Sequence, residues 1–385
     1  MNPVSFKQGK YAIVGAGLMG RLLAVALAQR GAQIDLFDKG ESHADGAAAR
    51  FAAAMLAPLA ESAITEDSVV RMGIYSLSRW KELIGTLSAP VFFQQEGTLI
   101  LWHRQDAHEA ERFTHHLETN CRHNPQLTLP QKLDSIHLRN LEPGLADRFM
   151  QGLYLPNEGQ LDNRQLLDGL LNELHILNVK CHWNTAVDPK QLRTSTQYDC
   201  VIDCRGTGAK DAFITTNNPL RGVRGEVVRL YAPEVKLRRP TRLIHPRYPI
   251  YIAPKEHDIY VVGATEIESE DLSQMSVRSA MELLSAVYTV HSGFAEARIL
   301  EMATQCRPTL KNHLPEIQVQ KEKGLSDLIM INGLYRHGFM ISPAILDSTL
   351  EILENGESNT ALELGLSICS VTSNNNHQAS LCASL

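Results

Sequence analysis

A glycine-rich turn near the N-terminal end constrains the fold more than any other feature of this sequence. The apolar run YAIV (11–14) leads into GAGLMG (15–20), which is followed by a segment with helical spacing, a second apolar run QIDLF (33–37) and Asp38. This order of strand, glycine turn, helix, strand and acid is the fingerprint of a dinucleotide-binding βαβ unit. The sequence therefore predicts a nucleotide site in this region.

Each part of the fingerprint has a physical task. Gly15 permits a tight turn, Gly17 lets a pyrophosphate approach the main chain, and Gly20 lets the helix pack closely on the strand. The helix N-terminus favours the phosphate charge, and Asp38 is placed to accept hydrogen bonds from the adenosine ribose. FAD and NAD both contain an ADP half, so this motif leaves the choice between them open.

The composition is typical of a soluble globular protein. The 385 residues exceed the roughly 250–300 at which one core stops growing, so two domains are expected. The net charge of −6 gives no basic surface for nucleic acid or for an anionic membrane. Because no apolar run reaches the ~18 residues that cross a bilayer and no signal-peptide core is present, a cytoplasmic protein without a membrane partner is expected. The seven cysteines lack CxxC pairs and zinc-like histidine spacing, which predicts reduced thiols and no metal site.

Apolar periodicity predicts a mixed α/β (α+β) chain. Helices are expected at four places: 65–85, from near Asp162, 276–291, and near PAILDSTLEILENG (343–356). Short runs with period-two apolar positions between residues 224 and 266 predict an antiparallel sheet. The prolines of CRPTLKNHLPEI (306–317) predict a turn region.

Two segments combine small residues with a cation. DGAAARFAAAMLAP (45–58) crowds alanines around an arginine, which either leaves room for a planar group or forms an Ala-rich core helix. NGLYRHGFMISPA (332–344) holds Arg336 between Gly333 and Gly338, and glycine lets main chain approach a flat group. Arg336 then either binds an anion or is solvated at the surface, and the segment alone leaves both open.

The ordered set of motifs resembles that of one protein family. The chain carries GAGLMG with Asp38, AAAMLAP, LEP, EGQLDNRQL, YDCVIDCRGTGA, RGVRGEV, YIAP with VVGATEIE, CRPTLKNHLP and NGLYRHGFMISPA. Over roughly residues 10–350 it resembles the D-amino-acid-oxidase-like FAD flavoproteins, and most of all the glycine oxidases of the thiamine-pathway type. The resemblance implies FAD rather than NAD. It also implies a Rossmann-like FAD-binding domain, a substrate domain with a large antiparallel or mixed sheet, and a possible homo-oligomer.

The interleaved pattern predicts that these domains are discontinuous. The FAD-binding domain is expected to comprise residues 1–90, 141–222 and 295–365, and the substrate-binding domain residues 91–140 and 223–294. Residues 366–385 are rich in serine and asparagine, which predicts a flexible tail.

The activity implied by the resemblance is the oxidation of a small, glycine-like amino acid or amine. In this family a hydride moves from the alpha carbon to flavin N5, giving an imine, and dioxygen reoxidises the flavin with formation of hydrogen peroxide. An alternative with the same fold is a flavoprotein that acts on a partner protein as a maturation, cofactor-forming enzyme, with little activity on free amino acids. An NAD-dependent dehydrogenase fits the first motif but not the later set.

Matching the motifs carries the family's site residues onto this chain. The implied substrate-binding residues are Arg307, Arg336 and Tyr251, since an arginine fork can hold a substrate carboxylate. The implied cofactor-binding residues are Gly15, Ala16, Gly17, Met19, Gly20, Asp38, Lys39, Ala48, Ala49, Ala53, Ala54, Met55, Val187, Gly206, Tyr335, Arg336, His337, Gly338, Phe339 and Met340. No residue is assigned as a catalytic acid or base, because the flavin carries the chemistry.

Each substrate-binding residue has an alternative role. Arg307 could form a structural ion pair with Glu301 or Glu316. Arg336 could serve the structure of its loop, and Tyr251 could be a core tyrosine with a satisfied hydroxyl group.

The chain also departs from the family pattern. Ala53 and Ala54 stand where close relatives often have glycine, which could narrow access to the flavin. Glu266, in the GATE run, could place a negative charge near the pocket. These departures concern the identity of the substrate more than FAD binding.

Overall fold

The strands form three sheets in the computed structural model, which describes residues 9–145, 148–211, 218–245, 249–371 and 381–382. Numbered in chain order, the strands are β1 Lys10–Val14, β2 Gln33–Phe37, β3 Met55–Leu56, β4 Phe93–Gln94, β5 Thr98–Trp102, β6 Gln131–Asp134, β7 Gln151–Leu155, β8 Gly159–Leu161, β9 Lys180–His182, β10 Cys200–Asp203, β11 Leu220–Tyr231, β12 Thr241–Ile244, β13 Ile250–Pro254, β14 Ile259–Gly263, β15 Arg298–Leu310, β16 Glu316–Gln320, β17 Asp327–Asn332, β18 Ser367–Val371 and β19 Leu381–Cys382.

Helices connect and cover these sheets. The α-helices are α1 Leu18–Gln29, α2 Pro58–Glu61, α3 Asp67–Gly85, α4 Ala107–His123, α5 Ser135–Leu141, α6 Asn163–Ile176, α7 Pro189–Leu192, α8 Val277–Val290, α9 Gly338–Asn355 and α10 Asn359–Leu364. Short 3₁₀ turns lie at Ala48–Phe51, Arg104–Asp106, Pro143–Leu145, Arg193–Ser195, Gly206–Ala209, Ser292–Glu296 and Tyr335–His337. Among the described residues, none of these helices combines the length and the apolar character needed to cross a bilayer.

The first sheet contains the dinucleotide-type unit. Its strand order is β19-β18-β16-β17-β10-β1-β2-β9, and the central strands β17, β10, β1 and β2 are mutually parallel. Central parallel strands are covered on both faces and therefore read as continuous apolar runs. This explains why the runs 11–14 and 200–203 are buried along their whole length. Helices α1, α6 and α9 pack beside one another against this sheet.

The second sheet is mostly antiparallel. Its order is β15-β11-β14-β13-β12-β5-β7-β6, with one parallel pair between β12 and β5. The antiparallel strands predicted between residues 224 and 266 are present as β11, β13 and β14. Helix α8 packs against these three strands. The mixed α/β class predicted from the sequence is confirmed.

Local capping chemistry explains two helix starts. Asp162 precedes α6, and its Oδ1 accepts hydrogen bonds from the main-chain N–H groups of Arg164 (2.9 Å) and Gln165 (3.0 Å). Ser276 precedes α8, and its hydroxyl oxygen accepts from the N–H group of Ser279 at 3.1 Å. Side-chain oxygens at these positions satisfy N–H groups that a helix leaves unpaired in its first turn. Both starts were predicted from the sequence.

The last long helix begins earlier than predicted and contains a proline. Helix α9 begins at Gly338, five residues before Pro343, which was the predicted start. Proline cannot donate to the carbonyl group four residues before it, here that of Phe339. The indole Nε1–H of the buried Trp80 donates to that carbonyl oxygen instead, at 2.6 Å. A tertiary contact from α3 therefore compensates for the proline, and sequence periodicity could not reveal it.

The predicted turn region at 306–317 was wrong for most of its length. Residues 306–310 complete β15 and residues 316–317 begin β16, so that only the intervening residues turn. Pro308 is tolerated because β15 is the edge strand of the second sheet, where one side of the strand has no ladder to complete.

The predicted tail also needs a correction. Ser367–Val371 form β18, which pairs in parallel with β16, whereas the prediction placed a flexible tail from residue 366 onward. Residues 372–380 and 383–385 lie outside the described residues.

The division into two domains stays a prediction. The second sheet, however, includes β7 and β15, which the prediction placed with the FAD-binding segments.

Candidate active site

One cavity of about 1340 Å³ runs between the two large sheets. Its walls include all the predicted cofactor- and substrate-binding residues except Gly20. Ligand pockets usually measure about 300–1,000 Å³, so this cavity has room for a dinucleotide together with a small substrate. We call the part lined by residues 14–19 and 37–39 the cofactor end. The part lined by Glu61, Arg242, Tyr251, Glu266, Arg307 and Arg336 is the substrate end.

The glycine turn is shaped by contacts within the chain. Gly15 has a φ of +100°, and a Cβ there would lie 2.6 Å from the carbonyl oxygen of Cys204. Gly20 lies beneath the loop and not in the cavity wall. A Cβ there would overlap the carbonyl oxygen of Gly15, so the close packing of helix and loop requires glycine. Gly17 lies in the cavity wall, and a Cβ there would meet only Ala47, at 3.7 Å. The turn therefore presents main chain to the cavity, as a pyrophosphate site requires.

Asp38 braces the same turn. Its Oδ2 accepts a hydrogen bond from the N–H group of Ala16 at 2.6 Å, and its Oδ1 accepts from that of Gly40 at 2.7 Å. Each carboxylate oxygen can accept a second hydrogen bond. Asp38 can therefore still accept from a ribose hydroxyl group, which is the predicted role.

The alanine-rich segment follows the cavity wall as an irregular strand rather than a core helix. After the 3₁₀ turn Ala48–Phe51 the chain extends, and Ala54 adopts a left-handed conformation with φ +51°. The buried Lys255 donates from Nζ to the carbonyl oxygen of Ala53 at 2.8 Å. Asn163 donates from Nδ2 to the carbonyl oxygen of Ala49 at 2.9 Å. The segment is thus held from behind, and its open side faces the cavity.

The two glycines around Arg336 differ in their surroundings. Gly333 has a φ of +78°, and a Cβ there would lie 2.6 Å from the carbonyl oxygen of Leu314, so this glycine is required by the chain itself. Gly338 begins α9, and a Cβ there would meet only the Cβ of Leu334, at 3.9 Å. Only Gly338 therefore leaves open space toward the cavity.

Arg307 projects across the second sheet into the substrate end. Its Nη1 and Nη2 both donate to the carbonyl oxygen of Thr265 at 3.2 Å. The guanidinium lies over Gly225, where a Cβ would overlap it. The ion pairs considered as an alternative do not form, because Glu301 pairs with Arg164 and Glu316 accepts from Gln318. Among the described residues, no carboxylate lies within ion-pair distance of Arg307.

Arg336, in contrast, is paired with two carboxylates. Its Nε lies 3.3 Å from Oε2 of Glu61, and its Nη1 lies 3.1 Å from Oε2 of Glu266. Arg242 adds a second guanidinium to Glu61, with Nη2 2.6 Å from Oε1. The structure therefore favours the alternative in which Arg336 organises its surroundings.

The charges around Glu61 fix its ionisation. Burial alone would favour the neutral acid, but the positive charges of Arg336 and Arg242 outweigh it and lower the pKa of Glu61 to about 2. His337 places Nδ1 3.4 Å from Oε2 of Glu61. Its own burial lowers the pKa of His337 to about 4, so the imidazole is neutral near pH 7.

Tyr251 lies between these charged groups. Its partners across the sheet are Arg242 on β12 and Gly263 on β14. The ring lies over Gly263, since a Cβ there would approach the tyrosine hydroxyl oxygen to 2.7 Å. Burial raises the pKa of Tyr251, which keeps the phenol protonated. Among the described residues, its hydroxyl group has no hydrogen-bond partner, so it can donate to a ligand in the cavity.

Comparisons with known proteins agree with this geometry. A family model described as FAD dependent oxidoreductase matches residues 10–345. The chain belongs to this family of FAD-dependent oxidoreductases. It is 34% identical over 331 residues to the putative thiamine biosynthesis oxidoreductase ThiO of Rhizobium etli, covering 86% of this chain and 92% of that protein.

Two solved structures share the fold of this chain. Glycine oxidase from Bacillus cereus superposes with a TM-score of 0.75 at 20% identity, covering 92% of this chain and 97% of that one. Iminodiacetate oxidase from Chelativorans sp. BNC1 superposes with a TM-score of 0.76 at 19% identity, covering 93% and 99%. The predicted family and the predicted FAD cofactor are confirmed.

The residues of this chain fit FAD. The glycine turn offers main-chain N–H groups to a pyrophosphate, Asp38 offers a ribose acceptor, and the cavity continues past Ala53 and Ala54 to Gly338. Val187 and Gly206, which were both predicted to bind the cofactor, also lie in this wall.

Sequence reasoning missed several residues of the substrate end. Glu61 and Arg242 belong to it, and Thr265 holds the guanidinium of Arg307. Arg242 faces Tyr251 in the ladder between β12 and β13, but β12 was not among the predicted strands, so its place beside Tyr251 was missed. Glu61 gave a weaker signal, an acid at the end of the apolar run MLAPLA.

Proposed function

We propose that this enzyme oxidises a small, glycine-like amino acid at its carbon–nitrogen bond and yields the imine. The observation that carries the proposal is the Arg307 guanidinium, which faces the cavity without a carboxylate partner among the described residues. A half-buried cation of this kind is suited to a ligand carboxylate. The names of its relatives, a thiamine biosynthesis oxidoreductase and a glycine oxidase, point in the same direction.

The substrate end would hold the amino acid by its acid group. Arg307 is already oriented by Thr265, so little side-chain freedom is lost when it binds the carboxylate. The hydroxyl group of Tyr251 can donate a second hydrogen bond to the same ligand. Fixing the carboxylate at two points fixes the alpha carbon, which is the geometric requirement for transfer of a hydride.

The side chains of the site position the substrate and do not transfer protons. When bound, FAD would supply the two-electron acceptor for the hydride, with dioxygen as the final acceptor and hydrogen peroxide as its product. His337 is neutral and lies against Glu61, and Glu61 is ionised and occupied by two guanidiniums. We therefore propose that the amine enters uncharged and that no residue of this cluster removes its proton.

The test begins with the colour of the purified protein. Absorbance near 450 nm should show bound flavin, and anaerobic mixing with glycine, sarcosine or D-alanine should bleach it. In air, a peroxidase-coupled assay should detect hydrogen peroxide with the same amines. Flavin absorbance that persists with every small amine would contradict the proposal, and would favour the alternative in which the flavoprotein acts on a partner protein.

A further inference from the structure

The three guanidiniums that line the substrate end differ in how they are paired. They belong to Arg307, Arg336 and Arg242. Arg336 bridges Glu61 and Glu266, and Arg242 also holds Glu61. Arg307 alone lacks a carboxylate within the described part of the chain. The substrate end thus offers one unpaired cation, which matches one substrate carboxylate.

Glu266 is the more exposed of the two carboxylates that line the substrate end. It directly follows Thr265, whose carbonyl oxygen holds Arg307, so it lies beside the proposed carboxylate site. Its side chain is 48% exposed and bonded to one guanidinium, whereas that of Glu61 is 7% exposed and held by two. The charge of Glu266 is therefore the less completely neutralised of the two.

We propose that Glu266 makes the site selective for amino acids with a single carboxylate group. The inference rests on the proposed function, through the assignment of Arg307 to the first carboxylate. A second carboxylate would find Arg336 already paired and would approach the negative charge of Glu266. Like charges brought together in a partly desolvated site disfavour binding strongly, and such a repulsive element is an efficient source of specificity.

The test compares two amines that differ by one carboxylate. Sarcosine and iminodiacetate are both secondary amines with one carboxymethyl group in common, and iminodiacetate carries a second. We expect kcat/KM for sarcosine to exceed that for iminodiacetate by about a hundredfold in the wild-type enzyme. Glu266→Gln should narrow this ratio at least about tenfold, because the repelling charge is removed and Nη1 of Arg336 is released.

A matched control is available two residues further along. Glu268 is 63% exposed, pairs with Arg221 and lies outside the cavity wall, so Glu268→Gln should keep the wild-type ratio. The inference is overturned if the wild-type enzyme oxidises both amines equally well. It is also overturned if Glu266→Gln, with an unchanged melting temperature, keeps the wild-type ratio.

A binding measurement separates this inference from the proposed function. Titration of the flavin-loaded protein with acetate should perturb the flavin absorbance, malonate should bind at least about tenfold more weakly, and Glu266→Gln should reduce that difference. If no amine is oxidised but acetate is still preferred, the proposed function fails and the selectivity stands. Equal affinity for the two acids in the wild-type protein would overturn the selectivity.

Discussion

At the cofactor end of the cavity the wall is main chain, whereas at the substrate end it is charged side chains. The turn at Gly15 and Gly17 presents backbone, and its one carboxylate, Asp38, bonds to N–H groups within its own neighbourhood. The substrate end draws Glu61 from α2, Arg242 from β12 and Arg336 from the last 3₁₀ turn. A ligand common to a whole family can be held by backbone geometry. The ligand that differs among members is selected by side chains.

Removing the Arg307 guanidinium should weaken amino-acid binding at the substrate end and leave FAD binding at the cofactor end unchanged. Arg307→Ala should weaken amino-acid binding by about 2–5 kcal/mol, because a charged hydrogen-bond partner is lost from a partly buried site. The measurement is the substrate concentration that half-bleaches the flavin under anaerobic conditions. Arg298→Ala, on the exposed first residue of the same strand, is the control and should behave as the wild type. Normal substrate affinity in Arg307→Ala, or loss of its flavin, would contradict this separation of the two ends.

The same contrast explains what the sequence could and could not predict. The glycine turn was predictable because strand, turn, helix and acid lie within thirty residues and each has a local role. Arg336 lies in the cavity wall, but its partner Glu61 lies 275 residues earlier in the chain, and no local pattern connects them. The turn predicted around Pro308 was wrong for a related reason. Only the sheet order shows that its strand, β15, is an edge strand, where proline is tolerated.

Glu61 makes the stability of the folded chain sensitive to acid. Burial opposes ionisation, but the charges of Arg336 and Arg242 lower the pKa of Glu61 from 4.5 to about 2. A depressed carboxyl pKa stabilises the folded state above the unfolded value, and this contribution is lost as the pH falls from about 4.5 toward 2. Glu61→Gln should therefore lower the free energy of unfolding by about 3 kcal/mol near neutral pH and flatten its decline in acid.

The measurement for Glu61 is urea unfolding between pH 7 and pH 3. Glu82→Gln is the control, since Glu82 is 66% exposed and pairs with Arg79 at the surface. A Glu61→Gln profile parallel to that of the wild type would show that the cluster does not hold the carboxylate ionised.

Gly20→Ala should instead weaken FAD binding at the cofactor end. A Cβ at this position would overlap the carbonyl oxygen of Gly15, so the turn must shift. We expect the affinity for FAD to fall by about 1–3 kcal/mol, measured by quenching of flavin fluorescence as the apoprotein is titrated. Gly85→Ala, at the end of α3, is the control because its Cβ would meet nothing within 4 Å. Wild-type FAD affinity in Gly20→Ala would refute the packing role of this glycine.

The smallest expected effect lies where the two ends meet. Ala54 has a φ of +51°, a conformation that costs an alanine roughly 1–2 kcal/mol and a glycine almost nothing. Ala54→Gly should therefore stabilise the apoprotein by about 0.5 kcal/mol once the greater freedom of glycine in the unfolded chain is subtracted.

Two residues earlier in the same wall, Ala52 has ordinary extended dihedral angles, with φ −76° and ψ 151°. Ala52→Gly should thus destabilise the chain by about 0.5–1 kcal/mol, and the two substitutions should shift the urea midpoint in opposite directions. Shifts of the same sign would mean that the strain at Ala54 is relieved by its surroundings. Opposite signs would mean that the tethers from Lys255 and Asn163 hold this wall in shape against the preference of its own alanine.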